Sequence, residues 1–245
     1  MAFRKAIKSE LLSCSAPPFN TTYSKIKNYE TCPKRSWHLD IAKDVEQEMT
    51  PELLKGNELH GAMASRVRSD IGLPMHLRYM ETWAKKLSMV TNPLQIIQVE
   101  LRLGLGRNLE PTMMMEKGAY IRGVIDYLKL VPSRTQGAFI AHIVDYKTGS
   151  IKEDFLQLAL NALMVFAHYK DVIKIRADFL WTEYNDTSYE EFERADMQGI
   201  WEDLLPRVKA VEQAVANKNF PAKPGGLCKE YCPIRACEYN GKRVK

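Results

Sequence analysis

Little in this sequence points to a membrane. Among its 245 residues no apolar run approaches the roughly 20 residues that a spanning helix needs. Met1–Lys8 has no apolar segment behind it of the kind a secretory signal carries. The expectation is a cytoplasmic protein with no membrane partner. Internal repeats and low-complexity tracts are also missing, which excludes solenoids and simple linker-type chains. Cysteine is scarce, five in all, and in a reducing compartment clustered thiols argue for a metal rather than for disulfides. Charge of one sign is not strongly in excess: 35 Lys and Arg against 30 Asp and Glu, a formal net charge of +5. That balance permits a nucleic-acid partner without requiring one. The length suffices for a full hydrophobic core, in one domain or two small ones.

What is present concentrates in two places. Ile143-Val144-Asp145-Tyr146-Lys147-Thr148-Gly149 reads as an apolar strand ending in a carboxylate and an amine two residues apart, which on a strand face the same side. A carboxylate that can hold a divalent cation beside an ammonium that can orient a nucleophile suits phosphodiester hydrolysis. A second apolar strand, Ile121 to Leu128, also carries an acid, Asp126, so two acids and one lysine on adjacent strands make a metal site. The second place is the chain's end. Cys228, Cys232 and Cys237 are spaced too tightly for ordinary core residues and follow the loop-like Phe220 to Gly226. Three clustered thiols want a fourth ligand, and Cys32 lies far upstream; Cys14 is left over as a bystander.

On these residues the chain resembles the PD-(D/E)XK nuclease superfamily, and within it the RecB-like and CRISPR-adaptation-type exonucleases with an iron-sulfur cluster. Asp126 in Gly123-Val124-Ile125-Asp126 is similar to the family's first metal-binding aspartate. Asp145 and Lys147 in Val144-Asp145-Tyr146-Lys147-Thr148-Gly149 are similar to its (D/E)XK pair. Gly56-Asn57-Glu58-Leu59-His60 looks like its G-x-x-x-H helix, whose histidine is a further metal ligand. Gln157, opening Gln157-Leu158-Ala159-Leu160-Asn161, resembles its Q-x-x-x-Y motif, with Asn161 where tyrosine is usual. Thr31-Cys32-Pro33 fits the family's N-terminal cysteine, and the lead-in Tyr23 to Glu30 is similar too.

The resemblance implies a fold and a chemistry. The fold is α/β, a restriction-endonuclease-like core of a mixed central sheet flanked by helices, with the N- and C-terminal segments joined through Cys32, Cys228, Cys232 and Cys237. Residues 1–245 form one nuclease domain, with 21–40 and 220–240 as the cluster subregion, 51–92 as a helical insert bearing His60, and 94–182 as the catalytic sheet and helix. Asp126, Asp145 and His60 would hold Mg2+ or Mn2+, Glu100 being a weaker match, while Lys147 and Gln157 position the attacking group. The cysteines would hold a 4Fe-4S cluster, tying the ends together across a long loop; a structural Zn2+ on the same four thiolates stays open, since spacing cannot separate the two. The implied activity is that of an exonuclease or single-strand nuclease on DNA that is single-stranded or has free ends, in recombination, repair or DNA end processing, with a helicase or recombination partner, in a bacterial, archaeal or phage-infected cell. A weakly catalytic nucleic-acid-binding subunit is the other reading, and no motif excludes RNA.

Pattern supplies the remaining elements. Helices are expected near 51–70, 76–90 and 153–169, and strands over Leu94–Gly104, Tyr120–Val131, Phe139–Lys147 and Ile173–Thr182. Tyr189–Ala216 reads as one long helix with Ile200, Leu204, Leu205, Val208 and Val211 at helical spacing. Met113-Met114-Met115 reads as core or loop packing. Basic residues recur in Lys25, Lys27, Lys34 and Arg35 and again in Lys223, Lys229, Arg235, Lys242 and Arg243. If the ends meet, these would form one phosphate-attracting surface.

Overall fold

The computed structural model describes residues 19–46 and 49–242. Cys14, Arg243 and the Met1–Lys8 stretch lie outside the described residues. A short strand β1 (Thr21–Thr22) leads into α1 (Tyr23–Thr31), α2 (Pro33–Ser36) and a π-helical turn (Trp37–Ala42). Then come α3 (Pro51–Ser69), a 3-10 turn (Met75–Met80), α4 (Glu81–Ser88) and the strands β2 (Ile96–Leu105), β3 (Pro111–Met113), β4 (Ile121–Pro132) and β5 (Phe139–Lys147). The rest is α5 (Leu156–His168), β6 (Val172–Trp181), β7 (Asp186–Glu193), α6 (Met197–Asn217) and α7 (Leu227–Glu230).

The strands form one mixed sheet in the order β3-β2-β4-β5-β6-β7, with β1 added in parallel to β4. The β2-β4 and β4-β5 pairs are antiparallel, and β5-β6 is parallel, closed by the crossover helix α5. A parallel pair needs such a crossover, and it buries both faces of its strands. One face carries the larger core, including Ile26 of α1, Leu158 to Ala167 of α5 and Leu204, Val208 and Val211 of α6. The other face carries a smaller core of Leu59, Met63, Leu77, Ala84, Tyr127, Val144 and Tyr146 under α3 and α4. The α5 helix is apolar nearly all round because it is covered on every side. It approaches β4 so closely that a Cβ at Gly123 would lie 2.8 Å from the Met164 sulfur. Arg194 closes its C-terminal end, donating to the carbonyls of Phe166 at 2.9 Å and Tyr169 at 2.7 Å; these are carbonyls a helix end leaves unpaired.

The expectation of one helix over Tyr189–Ala216 is corrected. Residues to Glu193 form β7, paired antiparallel with β6 from Trp181↔Asp186 to Lys174↔Glu193, and α6 starts only at Met197. The physical reason is the turn before it: Asn185 adopts a left-handed φ of 51°, which asparagine tolerates, and reverses the chain against β6. In Tyr189-Glu190-Glu191-Phe192-Glu193 only Phe192 is buried. The methionine triplet falls on the loop side of its reading. Met113 and Met115 are exposed at 56% and 78% on the β3 hairpin.

Candidate active site and thiol cluster

The central irregularity of the sheet lies where β2 and β4 face each other at Glu100 and Asp126. Pairing runs in register on either side, Val99↔Tyr127 and Leu101↔Ile125, but Glu100 has a left-handed φ of 53°, a costly conformation for a residue with a Cβ. Side-chain alternation inverts there on both strands. Ile97 and Val99 pack in the smaller core while Leu101, Leu103 and Leu105 pack in the larger, and Tyr127 lies in the smaller core while both Ile125 and Leu128 lie in the larger. A matched extra residue on each strand gives this pattern, as in a bulge. Its effect is to turn two carboxylates toward one groove.

On its other edge β4 pairs with β5 only from Tyr127↔Val144 to Pro132↔Phe139, so the two strands splay at Asp126. The Asp126 carboxylate bridges the gap, accepting from the Tyr146 backbone N–H at 2.9 Å. His60 reaches the same place from α3. Its Nδ1 lies 3.2 Å from Asp126 Oδ2 and its Nε2 lies 3.1 Å from the Tyr146 carbonyl oxygen. The helix comes this near because Gly56, one turn earlier, faces the turn after β5, where a Cβ would lie 3.3 Å from Thr148 Oγ1.

Among the described residues His60, Glu100 and Asp126 are the group of three His, Cys, Asp or Glu side chains whose ligand atoms lie within 4.8 Å of one another. The Asp145 carboxylate is outside that group. It is held by its strand neighbour and by α5: Lys147 Nζ lies 2.6 Å from Asp145 Oδ2, Gln157 Nε2 donates to Asp145 Oδ1 at 2.7 Å, and Lys147 Nζ donates to Gln157 Oε1 at 2.9 Å. The Lys147 ammonium is the group nearest the buried Oδ2. Asn161, one turn beyond Gln157, is buried with its Nδ2 unpaired.

Electrostatics follow from this packing. Burial pushes the Asp145 carboxyl up to about 6, with Lys147 opposing the rise and Asp126 adding to it. Burial, then the Asp126 charge, also raises Glu100. For His60 burial acts downward, but the Asp126 hydrogen bond and the charges of Asp126, Asp145 and Glu100 outweigh it and hold the imidazole above its ordinary range. Carboxylates this close, all asking for positive charge, fit a hard cation with oxygen and nitrogen ligands. Arg68 was not anticipated from the sequence. It lies on α3 two turns beyond His60, a spacing that shares a helix face, and its Nη2 donates to the Val99 carbonyl at 2.8 Å beside the Glu100 kink.

The four cysteines form a second site. Cys32, between α1 and α2, meets Cys228, Cys232 and Cys237 around one cavity of about 180 Å³. The chain ends are joined by the Lys34 N–H to the Pro221 carbonyl at 3.2 Å, by Trp37 and Tyr29 packing on Phe220, and by Lys34 pairing with Glu238 at 2.6 Å. The sulfurs receive backbone donors: Lys223 N–H to Cys32 Sγ and Gly225 N–H to Cys228 Sγ, both at 3.4 Å. Several of the basic residues expected to form a phosphate surface are engaged otherwise. Lys27 pairs with Asp154, Lys34 with Glu238, and Lys223 donates to the Glu30 carbonyl.

The comparison with known families bears on the sheet and its acids. A model of the PD-(D/E)XK nuclease superfamily matches residues 73–237. The chain belongs to that superfamily. The match covers Glu100, Asp126, Asp145, Lys147, Gln157 and the three C-terminal cysteines; His60, Arg68 and Cys32 precede it. The mixed sheet flanked by helices is the PD-(D/E)XK fold. The crystal structure of SSO0001 is similar at 13% identity and a TM-score of 0.44, covering 93% of this chain and 90% of that one. A candidate exonuclease from Eubacterium rectale is similar at 13% identity and a TM-score of 0.49, covering 98% and 94%. Neither likeness bears on the chemistry. No curated protein matches. No described helix is long and apolar enough to cross a membrane.

Proposed function

We infer that this PD-(D/E)XK protein is a Mg2+- or Mn2+-dependent, RecB-like exodeoxyribonuclease whose chain ends are held by a 4Fe-4S cluster. The observation that supports the reading best is the meeting of His60, Glu100 and Asp126 within 4.8 Å, beside a Lys147–Gln157–Asp145 relay of short contacts. In this reading His60, Glu100 and Asp126 hold a divalent cation with Asp145 at its flank. When bound, such a cation supplies Lewis acidity and a nucleophilic water at neutral pH.

The chain's own groups do the rest. Lys147, fixed by Gln157, points an ammonium to where negative charge develops on a phosphate, a placement whose value rises because the site is partly desolvated. Gln157 fixes Lys147 and Asp145 relative to each other. The Tyr146 N–H keeps one Asp126 oxygen oriented. DNA rather than RNA as the substrate, and digestion from an end, rest on the RecB-like resemblance.

For the thiols, the cluster rather than a lone zinc ion rests on the RecB-like resemblance; four thiolates around one cavity suit either. Backbone donors aimed at sulfur are also what thiolates of an iron-sulfur centre use to set their charge.

The experiment is cleavage of end-labelled DNA by anaerobically purified protein with Mg2+ or Mn2+, compared with Asp145→Ala. Metal-dependent loss of label by wild type alone is the expected result. Equal turnover by the variant would remove Asp145 from the active site, and no cleavage by either with DNA still bound would favour a binding subunit.

A further inference from the structure

Away from the acid-histidine group, the sheet carries a second set of charged side chains. His142 of β5 lies three residues before Asp145, about 10 Å along the strand and on the other face of the sheet. That is the face of the smaller core, where Asp178 of β6 sits in register with the buried Val144. Asp178 is 4% exposed, and a carboxylate this deep needs partners. It has them: His142 Nε2 lies 2.8 Å from its Oδ2, and Arg176 donates to it twice, from Nε at 3.0 Å and from Nη2 at 2.9 Å. Burial acts upward on the Asp178 carboxyl, but the hydrogen bonds from His142 and Arg176 outweigh it and hold it below the ordinary carboxylate range. The acid therefore stays ionised and fixes the guanidinium beside it. Because Arg176 meets Asp178 through Nε and Nη2, its Nη1 lies outside the pair. The guanidinium also rests on the Tyr189 ring, 3.8 Å from its centroid. Glu191, opposite Arg176 on β7, is taken by Lys174 at 2.7 Å. Lys86 of α4 lies over the Trp83 ring at 4.6 Å, and among the described residues it has no carboxylate partner. A ring holds a cation by its quadrupole without neutralising it. Both cations line one recess of about 280 Å³ between α4 and the sheet, to which His142 and Thr187 also contribute.

We propose that this recess is an oxyanion site for a phosphate group, carried as free phosphate or as the monoester of a single nucleoside, held by the Lys86 ammonium, the Arg176 guanidinium and the Thr187 hydroxyl. Two cations there face one buried acid, so the recess keeps positive charge for a ligand. Asp178 and Tyr189 are positioning residues. They hold the guanidinium in one orientation before the anion arrives, which lowers the entropy lost on binding. Arginine with nitrogens to spare is the side chain that best matches phosphate oxygens. The recess is at the small end of ligand clefts, which suits a small phosphate. None of His60, Glu100, Asp126, Asp145, Lys147 and Gln157 takes part, so the site stands apart from the nuclease reading.

The test is calorimetric titration of the full chain, in phosphate-free buffer without divalent metal, with sodium phosphate, with thymidine monophosphate and with thymidine. Wild type is compared with Lys86→Glu and Arg176→Gln, and with Lys147→Ala as a control at the acid-histidine site. The expected result is saturable binding of phosphate or the monophosphate by wild type and none of thymidine. Affinity should fall about tenfold or more in Lys86→Glu and Arg176→Gln, as for a lost charge-assisted hydrogen bond, and stay at the wild-type level in Lys147→Ala. Equal affinity for the two phosphates would assign the site to the free anion and tighter monophosphate to the ester, and either upholds it. Arg176→Gln also takes a partner from the buried Asp178, so circular dichroism accompanies it; Lys86→Glu, at an exposed helix position, decides the matter if that variant does not fold. No saturable binding by wild type, thymidine bound as tightly as its monophosphate, unchanged affinity in Lys86→Glu, or a loss confined to Lys147→Ala would each overturn the proposal. Asp178, His142 and Arg176 would then be a structural group alone.

Discussion

The acid-histidine site and the four-cysteine site are assembled by opposite means. The first is built into the middle of the sheet, its groups set by strand register and by a helix packed on a core that includes the fully buried Leu59, Met63 and Tyr127. The second is built from the chain's ends, in short helices and turns, where only Cys237 is buried and the other three thiols are half-exposed. Packing determines the first site whether or not a cation is bound. The second has little core of its own, so its geometry depends on what the sulfurs hold, as in small domains whose folding energy comes from the metal. Loss of a ligand should therefore abolish chemistry without unfolding in one place and loosen structure in the other.

Asp126→Asn is expected to show the largest effect on activity, a loss of about 10³-fold or more in metal-dependent cleavage. Its melting temperature should stay close to that of wild type, because the amide still fills the space against the Tyr146 N–H. Cleavage rates and thermal melts on one preparation check both halves, and a large drop in melting would break the comparison. Cys232→Ser should act the other way round. It is expected to lose the visible absorbance of the cluster and on the order of 3 kcal/mol, which in a chain of this size lowers melting by about 6–12 °C; normal metal content and melting would contradict it.

Proton competition gives a third contrast. With the Asp145 carboxyl pushed up to about 6 by burial and the His60 imidazole, despite its burial, held above its ordinary range by Asp126, Mn2+ affinity should weaken as pH falls through the histidine range and most steeply below about 6. In the metal-free protein the folded state favours the neutral carboxyl. Its stability should therefore fall as pH rises from the ordinary carboxylate range, about 4, to about 6, and go on falling as His60, whose imidazolium the folded state favours, loses its proton. Mn2+ titrations and melts at pH 5 and pH 7.5 read both signs. The smallest effect is expected for Lys34→Ala, which removes the exposed ion pair to Glu238. Cluster absorbance and melting should be unchanged within error, since exposed pairs contribute little, and a clear loss would mean that the ion pair, not sulfur, holds the ends.

Much of the central sheet was legible because it obeys simple patterns. Ile121 to Leu128 and Ile143 to Lys147 are apolar strands of ordinary composition, and Asp145, Lys147 and Gln157 meet as their spacing on a strand and the following helix implies. Glu100 was harder to read. Its role depends on a left-handed φ in mid-strand, which glycine or asparagine would have advertised and glutamate does not. Arg68 was missed for a related reason, since its partner is a backbone carbonyl that no sequence motif marks. The β7 strand was absorbed into α6 because no glycine or proline marks the boundary between them, which falls at the 3-10 turn Arg194–Asp196. The basic residues near the chain ends promised a free cationic surface, but charge counts do not show which lysines already have acidic partners, as Lys27 and Lys34 do.

The central claim is that the kink joining β2 to β4 makes one cation site from His60, Glu100 and Asp126. Calorimetric titration of Mn2+ into wild type and Glu100→Gln tests it most directly, because Glu100 enters the site only through that kink. Saturable binding by wild type, weakened about tenfold or more in Glu100→Gln with the fold intact, is the result predicted. Equal binding by the two proteins would contradict it.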